Sequence, residues 1–277
     1  MIESSGSKII KVFVLLLVLA AMLLPVYWAI ISSLMPNAFL FSLPPHFSPL
    51  GGSLANYARV LKDVRYLVYF GNSLLVSLCT VALCIITSLL SGYALSRFRF
   101  RGKNAIIVAI LSVQMFPIVA ILISLYAFFN EWRLLNTYVG LIISDTTFCL
   151  PLSIVMLKSY IDTIPVSLDE AAKIDGCGRT RILIDVLVPT IVPGILAVGV
   201  FTFLKTWDDF LFALIIMQSD WKKTLPVGLA QSFLGEFVHD YGGMMAMSVG
   251  ASLPVVLLFI LLQRYMISGM TAGAVKG

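Results

Sequence analysis

The sequence predicts an all-α membrane protein with six transmembrane helices, and three observations predict it. The 277 residues are 60% hydrophobic and only 12% charged, with a mean hydropathy of +1.00; a soluble domain carries roughly 25% charge. The apolar residues gather into six runs, each near the twenty or so residues that a helix needs to cross a bilayer core. One long polar interval, Ile164 to Pro189, interrupts the oily second half. Length alone would suggest about two soluble domains. The hydropathy overrides that count, and the spans with their loops fit one membrane domain over residues 1–277.

Span one covers about 12–34, after Lys8 and Lys11. A basic start before an apolar run also describes a signal peptide. This run is long for one and passes through Pro25, Tyr27 and Trp28 without a clear small-x-small cleavage site, so a retained helix is expected. Pro36 to Tyr66 is rich in proline and glycine, which is loop chemistry, with a short interfacial helix at Asn56 to Asp63. Span two, about 67–95, carries Ser77, Thr80, Thr87 and Ser91; small polar residues let helices approach closely. A dense basic turn follows, Arg97 to Lys103.

Span three, about 105–129, contains Gln114 and Pro117. An amide is costly in lipid, so Gln114 should face protein or a water-filled cavity, as a packing hydrogen bond or as a substrate contact. Span four, about 138–160, holds Asp145 and Pro151; span five is about 191–217; span six, about 244–265, holds Pro254. No internal repeat is visible.

Within the polar interval, Ser167 and Glu170 have the S-x-x-E spacing of a capping box. The helix so started runs through Ala171 and Ala172. After Asp175 it should end at Gly176, which tolerates the left-handed conformation. A second short helix is expected from Arg179 to Leu187, ending at Pro189. The paired alanines give the first helix a slim face, suited to a partner's groove.

Six spans put both termini on one side. That side receives twelve Lys and Arg residues, counting Lys158 and Arg264 at the ends of spans, and the opposite side six, with Lys205 left inside a span. The excess of positive charge marks the cytoplasmic side, so both termini and the 164–189 loop should be cytoplasmic.

Catalytic chemistry is missing from the sequence. There is no G-x-x-x-x-G-K-[ST] phosphate loop and no H-E-x-x-H, no Ser-His-Asp elbow, and the only histidines are His46 and His239. Cys79, Cys84, Cys149 and Cys177 lack zinc-ligand spacing and read as small packing residues. No catalytic, metal or cofactor site is expected. If ATP drives this protein, the ATPase is a separate chain.

Span five carries Lys205, Asp208 and Asp209, three and four residues apart, and so on one helix face. Unpaired charges in a span cost about 3 kcal/mol each; together these neutralise one another and point to the bundle interior. Trp207 lies on another azimuth. An ion pair that fixes helix packing and a polar, aromatic substrate pathway suited to a sugar are both open.

Glu170-Ala171-Ala172, three residues, Gly176, nine residues and Val186-Leu187-Val188-Pro189 resemble the cytoplasmic signature of bacterial ABC importer permeases. The turn Arg97 to Lys103, the segment Trp207-Asp208-Asp209-Phe210 and the tail Gly269 to Gly277 look like the carbohydrate permeases of the maltose type, specifically the six-span subunit; Asp208 stands where that family usually has Asn. The resemblance implies a type I importer permease of the bacterial inner membrane. Its coupling helix, here Ser167, Glu170, Ala171, Ala172, Asp175, Gly176 and Pro189, would dock on an ATPase. It also implies a second permease, two ATPase subunits that carry ATP and Mg, and an extracytoplasmic sugar-binding protein. The substrate pathway would then draw on Gln114, Lys205, Trp207, Asp208 and Asp209. The competing readings are a proton- or ion-coupled secondary transporter using Lys205, Asp208 and Asp209, and a membrane scaffold that transports nothing.

Overall fold

The computed structural model describes residues 5–49, 51–233 and 240–274, and among these there is helix and loop but no strand. His239 and the last three residues of the Gly269–Gly277 tail lie outside them. The chain divides into two units: residues 1–67 with 229–253, and residues 68–228 with 254–277.

In order, the helices are α1 (Ser5–Leu34), α2 (Asn37–Leu40), α3 (Ala55–Lys62), α4 (Val64–Arg97), α5 (Lys103–Ser112), α6 (Ile118–Glu131), α7 (Tyr138–Asp162), α8 (Val166–Ile174), α9 (Arg179–Arg181), α10 (Val188–Thr190), α11 (Val192–Trp207), α12 (Leu211–Ile216), α13 (Leu225–Phe233) and α14 (Tyr241–Ala274). Among the described residues four helices are long and apolar enough to cross a membrane: Ile10–Leu34, Val64–Arg97, Tyr138–Asp162 and Tyr241–Gln263. Two bent pairs would bring the number to six: Lys103–Met115 with Ile118–Glu131, bent by 96°, and Arg179–Thr190 with Val192–Trp207, bent by 80°.

In the first unit the expected short helix is α3. Its buried Asn56 donates to the carbonyls of Ser33 and Met35, both at 2.9 Å. These belong to the end of α1, whose last carbonyls have no partner within the helix. Asp240 ties the start of α14 into the same unit, accepting from Asn37 at 3.0 Å and pairing with Arg59 at 2.8 Å.

The second unit is organised on α4 and α7. Ser73, Ser77, Thr80, Cys84, Ser88 and Gly92 form a buried stripe along α4, with the three-to-four-residue spacing of one helix face. Small residues there let the backbones approach. A Cβ on Gly92 would sit 3.0 Å from the backbone nitrogen of Lys158 on α7. The apolar side chains collect into two clusters. One joins Tyr93, Leu157, Ile161 and Val198 to the 164–191 loop. The other joins Val76, Leu122, Leu141 and Phe212 near the opposite end of α7. Leu141 and Leu157 are sixteen positions apart, so about 24 Å of helix separates the two clusters at 1.5 Å per residue.

Two expected spans are not continuous. Span three breaks at Phe116–Pro117. The helix narrows to a 3₁₀ turn at Val113–Met115, and Phe116 is extended, with ψ 133°. Proline disfavours the helical conformation of the residue before it and cannot donate in the ladder. Span five breaks after Trp207, so that Asp208, Asp209 and Phe210 stand between α11 and α12.

Candidate functional site

The polar loop between α7 and α11 is packed against its own chain along one face. Its helix α8 starts earlier than the capping box predicts. Pro165 is the N-cap, extended at φ −56° and ψ 133°, and no side chain caps the helix. Ser167 therefore lies inside the first turn. A proline with its fixed φ supplies the turn into the helix, and the hydroxyl is left over. The other end matches expectation. Gly176 has φ +82°, its N–H donates to Lys173 O at 3.0 Å, and the Cys177 N–H donates to Ala172 O at 2.9 Å. These are the paired bonds of a Schellman motif.

The faces of α8 differ. Asp169 and Ala172, three apart, are buried; Ser167, Glu170, Ala171, Asp175 and Gly176 are exposed. Ala172 packs with Ile164, Ile182 and Leu183, so the expected slim face of two alanines is presented by Ala171 alone. Arg97, the last residue of α4, donates to Asp169 at 2.8 Å and to Ile164 O at 3.0 Å. The Arg179 guanidinium lies 5.0 Å from the centroid of the Phe98 ring. Beyond it, the expected second helix does not stop at Pro189. It passes through a π turn at Ile182–Leu187 and resumes as α10, with Pro189 inside it and exposed. Proline has no N–H for the carbonyl four residues back, so regular α-helix cannot run across it.

Sequence reasoning missed the apolar stripe on the free face of α8. Leu168 and Ile174 are 45% and 86% exposed and flank Ala171 at three-residue intervals. The signal was available as the period of the helix.

A second site lies between the two apolar clusters of α7. A cavity of about 420 Å³ is lined by Gln114, Asp145, Cys149, Lys205, Thr206, Asp209 and several phenylalanines. Lys205 and Asp209 also border a neighbouring cavity of about 510 Å³ that includes Asp208. Four of the five expected pathway residues thus border these cavities, and Trp207 does not. Its ring is 3% exposed, stacked on Phe203 at 5.4 Å and edge-on to Phe70 at 5.5 Å. It is a packing residue of the second unit.

The expected Lys205–Asp208–Asp209 ion cluster does not form. Because α11 ends at Trp207, the acids leave the helix that carries the lysine, and among the described residues Lys205 has no carboxylate within 4.0 Å. Asp209 turns instead to α12, accepting from the N–H groups of Phe212 at 3.3 Å and Ala213 at 2.9 Å. A carboxylate there satisfies donors that have no partner within the helix. Asp145, noted as a charge in span four but not read as a site, is 4% exposed and lines the first of these cavities. No cluster of three or more His, Cys, Asp or Glu able to hold a metal occurs among the described residues.

Residues 84–272 match the family model described as binding-protein-dependent transport system inner membrane component. The chain is 36% identical to the sulfoquinovosyl glycerol transport system permease protein of Agrobacterium fabrum, over 92% of this chain and 89% of that one. It is 33% identical to the trehalose/maltose transport system permease protein of Thermococcus litoralis, over 99% of both. It is 31% identical to the diacetylchitobiose uptake system permease protein of Streptomyces coelicolor, over 91% of both. In fold it is similar to a chain of a bacterial ABC transporter involved in the import of the acidic polysaccharide alginate, with a TM-score of 0.83 and 20% identity, covering 96% of this chain and 99% of that one. The family model and these relatives extend over both the α8 loop and the cavity-lining helices, and the chain belongs to the binding-protein-dependent transport system inner membrane components, the permease subunits of ABC transporters.

Proposed function

We propose that this chain is the membrane-spanning permease subunit of an ATP-driven sugar importer. It lies in the bacterial inner membrane with both termini in the cytoplasm, as one membrane domain. It forms half of the translocation pathway and couples to a separate ATPase through α8. ATP and Mg belong to that ATPase; a second permease and an extracytoplasmic binding protein complete the assembly.

The observation that supports coupling most is the two-faced α8. Its inner face is held to α4 by Arg97 and Asp169 and to the apolar cluster by Ala172. Its outer face leaves Glu170, Ala171, Leu168 and Ile174 uncovered. A push on the outer face therefore reaches α4 and α7 through packed contacts, as a rigid-body transition requires. Glu170 supplies a charge for a basic group on the ATPase, and the apolar stripe supplies area to bury. Sugar as cargo rests on the relatives, whose names specify sugars or their glycosides, and on the polar cavities.

The test is reconstitution with a second permease, an ATPase and a binding protein. ATP-dependent sugar uptake is expected, and Glu170→Ala or Ile174→Asp should lower uptake while the protein still inserts. Cross-links from positions 167–178 should reach the ATPase. A well-inserted Glu170→Ala, Ile174→Asp double variant with unchanged uptake overturns the coupling role. Uptake by this chain alone, driven by a proton gradient, would favour the secondary-transporter reading, which the family does not.

A further inference from the structure

The inner side of α8 borders a cavity of about 460 Å³, between the end of α4 and the start of α9. Arg97, Arg99, Val166, Asp169, Lys173 and Arg179 line it. At about 3.6 residues per turn, Val166, Asp169 and Lys173 fall on one side of α8, opposite the stripe of Leu168, Ala171 and Ile174. A partner docked on that outer stripe does not use the cavity side. The charges of the cavity wall do not balance. Four cations stand against one carboxylate. Arg97 and Asp169 pair at 2.8 Å, which leaves Arg99, Lys173 and Arg179. All three are exposed, and among the described residues none has a carboxylate within 4.0 Å.

Two of the cations are held in place. The Arg179 guanidinium is set by its contact with the Phe98 ring. The Arg97 side chain is only 8% exposed, and its Nε and Nη2 are engaged by Asp169 and the Ile164 carbonyl. Its Nη1 donates to nothing among the described residues. A buried, fixed guanidinium thus keeps N–H donors to spare at the cavity wall. Guanidinium groups bind phosphate oxygens through paired, charge-assisted bonds, and lysine adds a point charge. The volume is within the range of small-molecule sites, roughly 300–1,000 Å³. Position selects the source of the phosphate. Arg97 closes the apolar helix Val64–Arg97, so the cavity lies at the bilayer end of that helix. Basic pockets at the cytoplasmic end of membrane helices take anionic lipid headgroups. Phe98 and Arg99 also border a second cavity, of about 360 Å³, that includes Phe100 and Lys103. Val166 of the first cavity and Phe100 of the second are 53% and 43% exposed, and so offer apolar contact beside the charges.

We infer that Arg97, Arg99, Lys173 and Arg179 form a site for a phosphate group, supplied by the head of an anionic phospholipid, that bridges the end of α4 to α8 and α9. It rests on the importer reading, which puts α8 on the cytoplasmic side, and adds a regulator to it. The bound phosphate neutralises three unpaired cations at once and braces the inner side of α8 while the outer side meets the ATPase. The lipid charge of the membrane then sets how firmly the coupling loop is held.

The test uses the complete complex of permeases, ATPase and binding protein in three preparations: vesicles of phosphatidylcholine, vesicles of equal parts phosphatidylcholine and phosphatidylglycerol, and phosphatidylcholine vesicles with inorganic phosphate on both sides. Hydrogen exchange over residues 166–181 is read in each. A basic group near a membrane surface is worth about fivefold in affinity for an anionic lipid. Exchange should slow at least threefold with phosphatidylglycerol, and the double variant Arg99→Gln, Lys173→Gln should lose that difference. Neither side chain has an ion pair to give up, so exchange of the variant in phosphatidylcholine should match the wild type and show that its fold is kept. If inorganic phosphate slows exchange and phosphatidylglycerol does not, the phosphate site is upheld and lipid as its source is overturned. No slowing in either arm overturns the proposal, as does slowing that the double variant retains. So does a carbodiimide cross-link from Lys173 to a carboxylate of the ATPase, which gives the cavity to a protein partner. Sugar uptake in the same vesicles separates the two readings. Uptake without any effect on exchange sinks the phosphate site and leaves the importer standing; a complete wild-type complex that takes up no sugar sinks the importer reading itself.

Discussion

Arg97 at the end of α4 and Asp169 on the inner face of α8 form an ion pair at 2.8 Å, with side chains only 8% and 5% exposed. Arg97 also donates to the carbonyl of Ile164, so one guanidinium holds both the entry to the loop and its helix. Nearby, Asp162 at the end of α7 accepts from Ser96 at 2.6 Å and pairs with Lys158 at 2.5 Å. The ends of α4 and α7 and the start of α8 are thereby joined by a few polar contacts above an apolar base.

Removing one member of a buried pair leaves the other charge uncompensated, at a cost of about 3–5 kcal/mol, whereas replacing both often costs far less. Arg97→Met and Asp169→Leu are each expected to loosen α8, and the double variant to recover part of the loss. Hydrogen exchange over residues 166–177 reads this directly. Single variants with wild-type protection there would show that the pair does not hold the loop.

Gly176 separates backbone conformation from packing. Its φ of +82° is unfavourable for an L side chain, yet a Cβ there would meet nothing within 4 Å. Gly176→Ala should therefore cost about 1–2 kcal/mol, the ordinary penalty for the left-handed region, and Gly176→Asn less. Gly194→Ala offers the contrast, since its Cβ would fall 2.5 Å from the Tyr160 ring and the penalty is steric. Thermal unfolding of the three variants in one detergent orders them. Equal losses for Ala and Asn at position 176 would count against the conformational argument.

What the sequence discloses follows from how local each cause is. The Schellman end at Gly176 was legible because one residue without a Cβ determines it. The burial of Asp169 and Ala172 was legible in principle, since residues three apart share a face. The unused capping box was not: Ser167 has the right spacing to Glu170, but Pro165 two residues earlier starts the helix first. Proline alone did not reveal the break in span three. Pro25, Pro151 and Pro254 lie inside continuous helices, while the helix ends at Pro117. Whether a neighbour resatisfies the freed carbonyl is a tertiary fact. For the same reason Lys205, Asp208 and Asp209 read as a single face when the helix is assumed to continue, and as two separate elements once it stops at Trp207.

The loss of that shared face changes the energetics of span five. Lys205 and Asp209 border the same cavity but make no ion pair, so a double-mutant cycle between Lys205→Met and Asp209→Asn should give a coupling of no more than about 1 kcal/mol, at the low end for residues that share a cavity. Asp209→Ala alone should cost about 1 kcal/mol, the value of a helix cap, because it strips the donors at the start of α12 of their acceptor. A coupling energy well above 1 kcal/mol would restore the ion-pair reading.

The far end of α12 depends on Asn136, and in a way that two substitutions can take apart. Asn136 has φ +56°, a conformation that asparagine tolerates better than most side chains. Its N–H donates to Ile216 O at 2.7 Å, its carbonyl accepts from Lys222 Nζ at 2.7 Å, and its amide exchanges bonds with Ser219: Nδ2 to Oγ at 2.6 Å, and Ser219 N to Oδ1 at 3.1 Å. Asn136→Gly keeps the backbone conformation and loses only the side-chain bonds, each worth about 1 kcal/mol net. Asn136→Ala loses the same bonds and adds about 1–2 kcal/mol of left-handed strain. The alanine variant should thus be the less stable of the two, although alanine is ordinarily the more favourable residue in a folded chain. If Asn136→Ala melts at or above Asn136→Gly, the positive φ is not what this turn requires. If both match the wild type, the clamp between the α6–α7 turn and the segment after α12 contributes nothing.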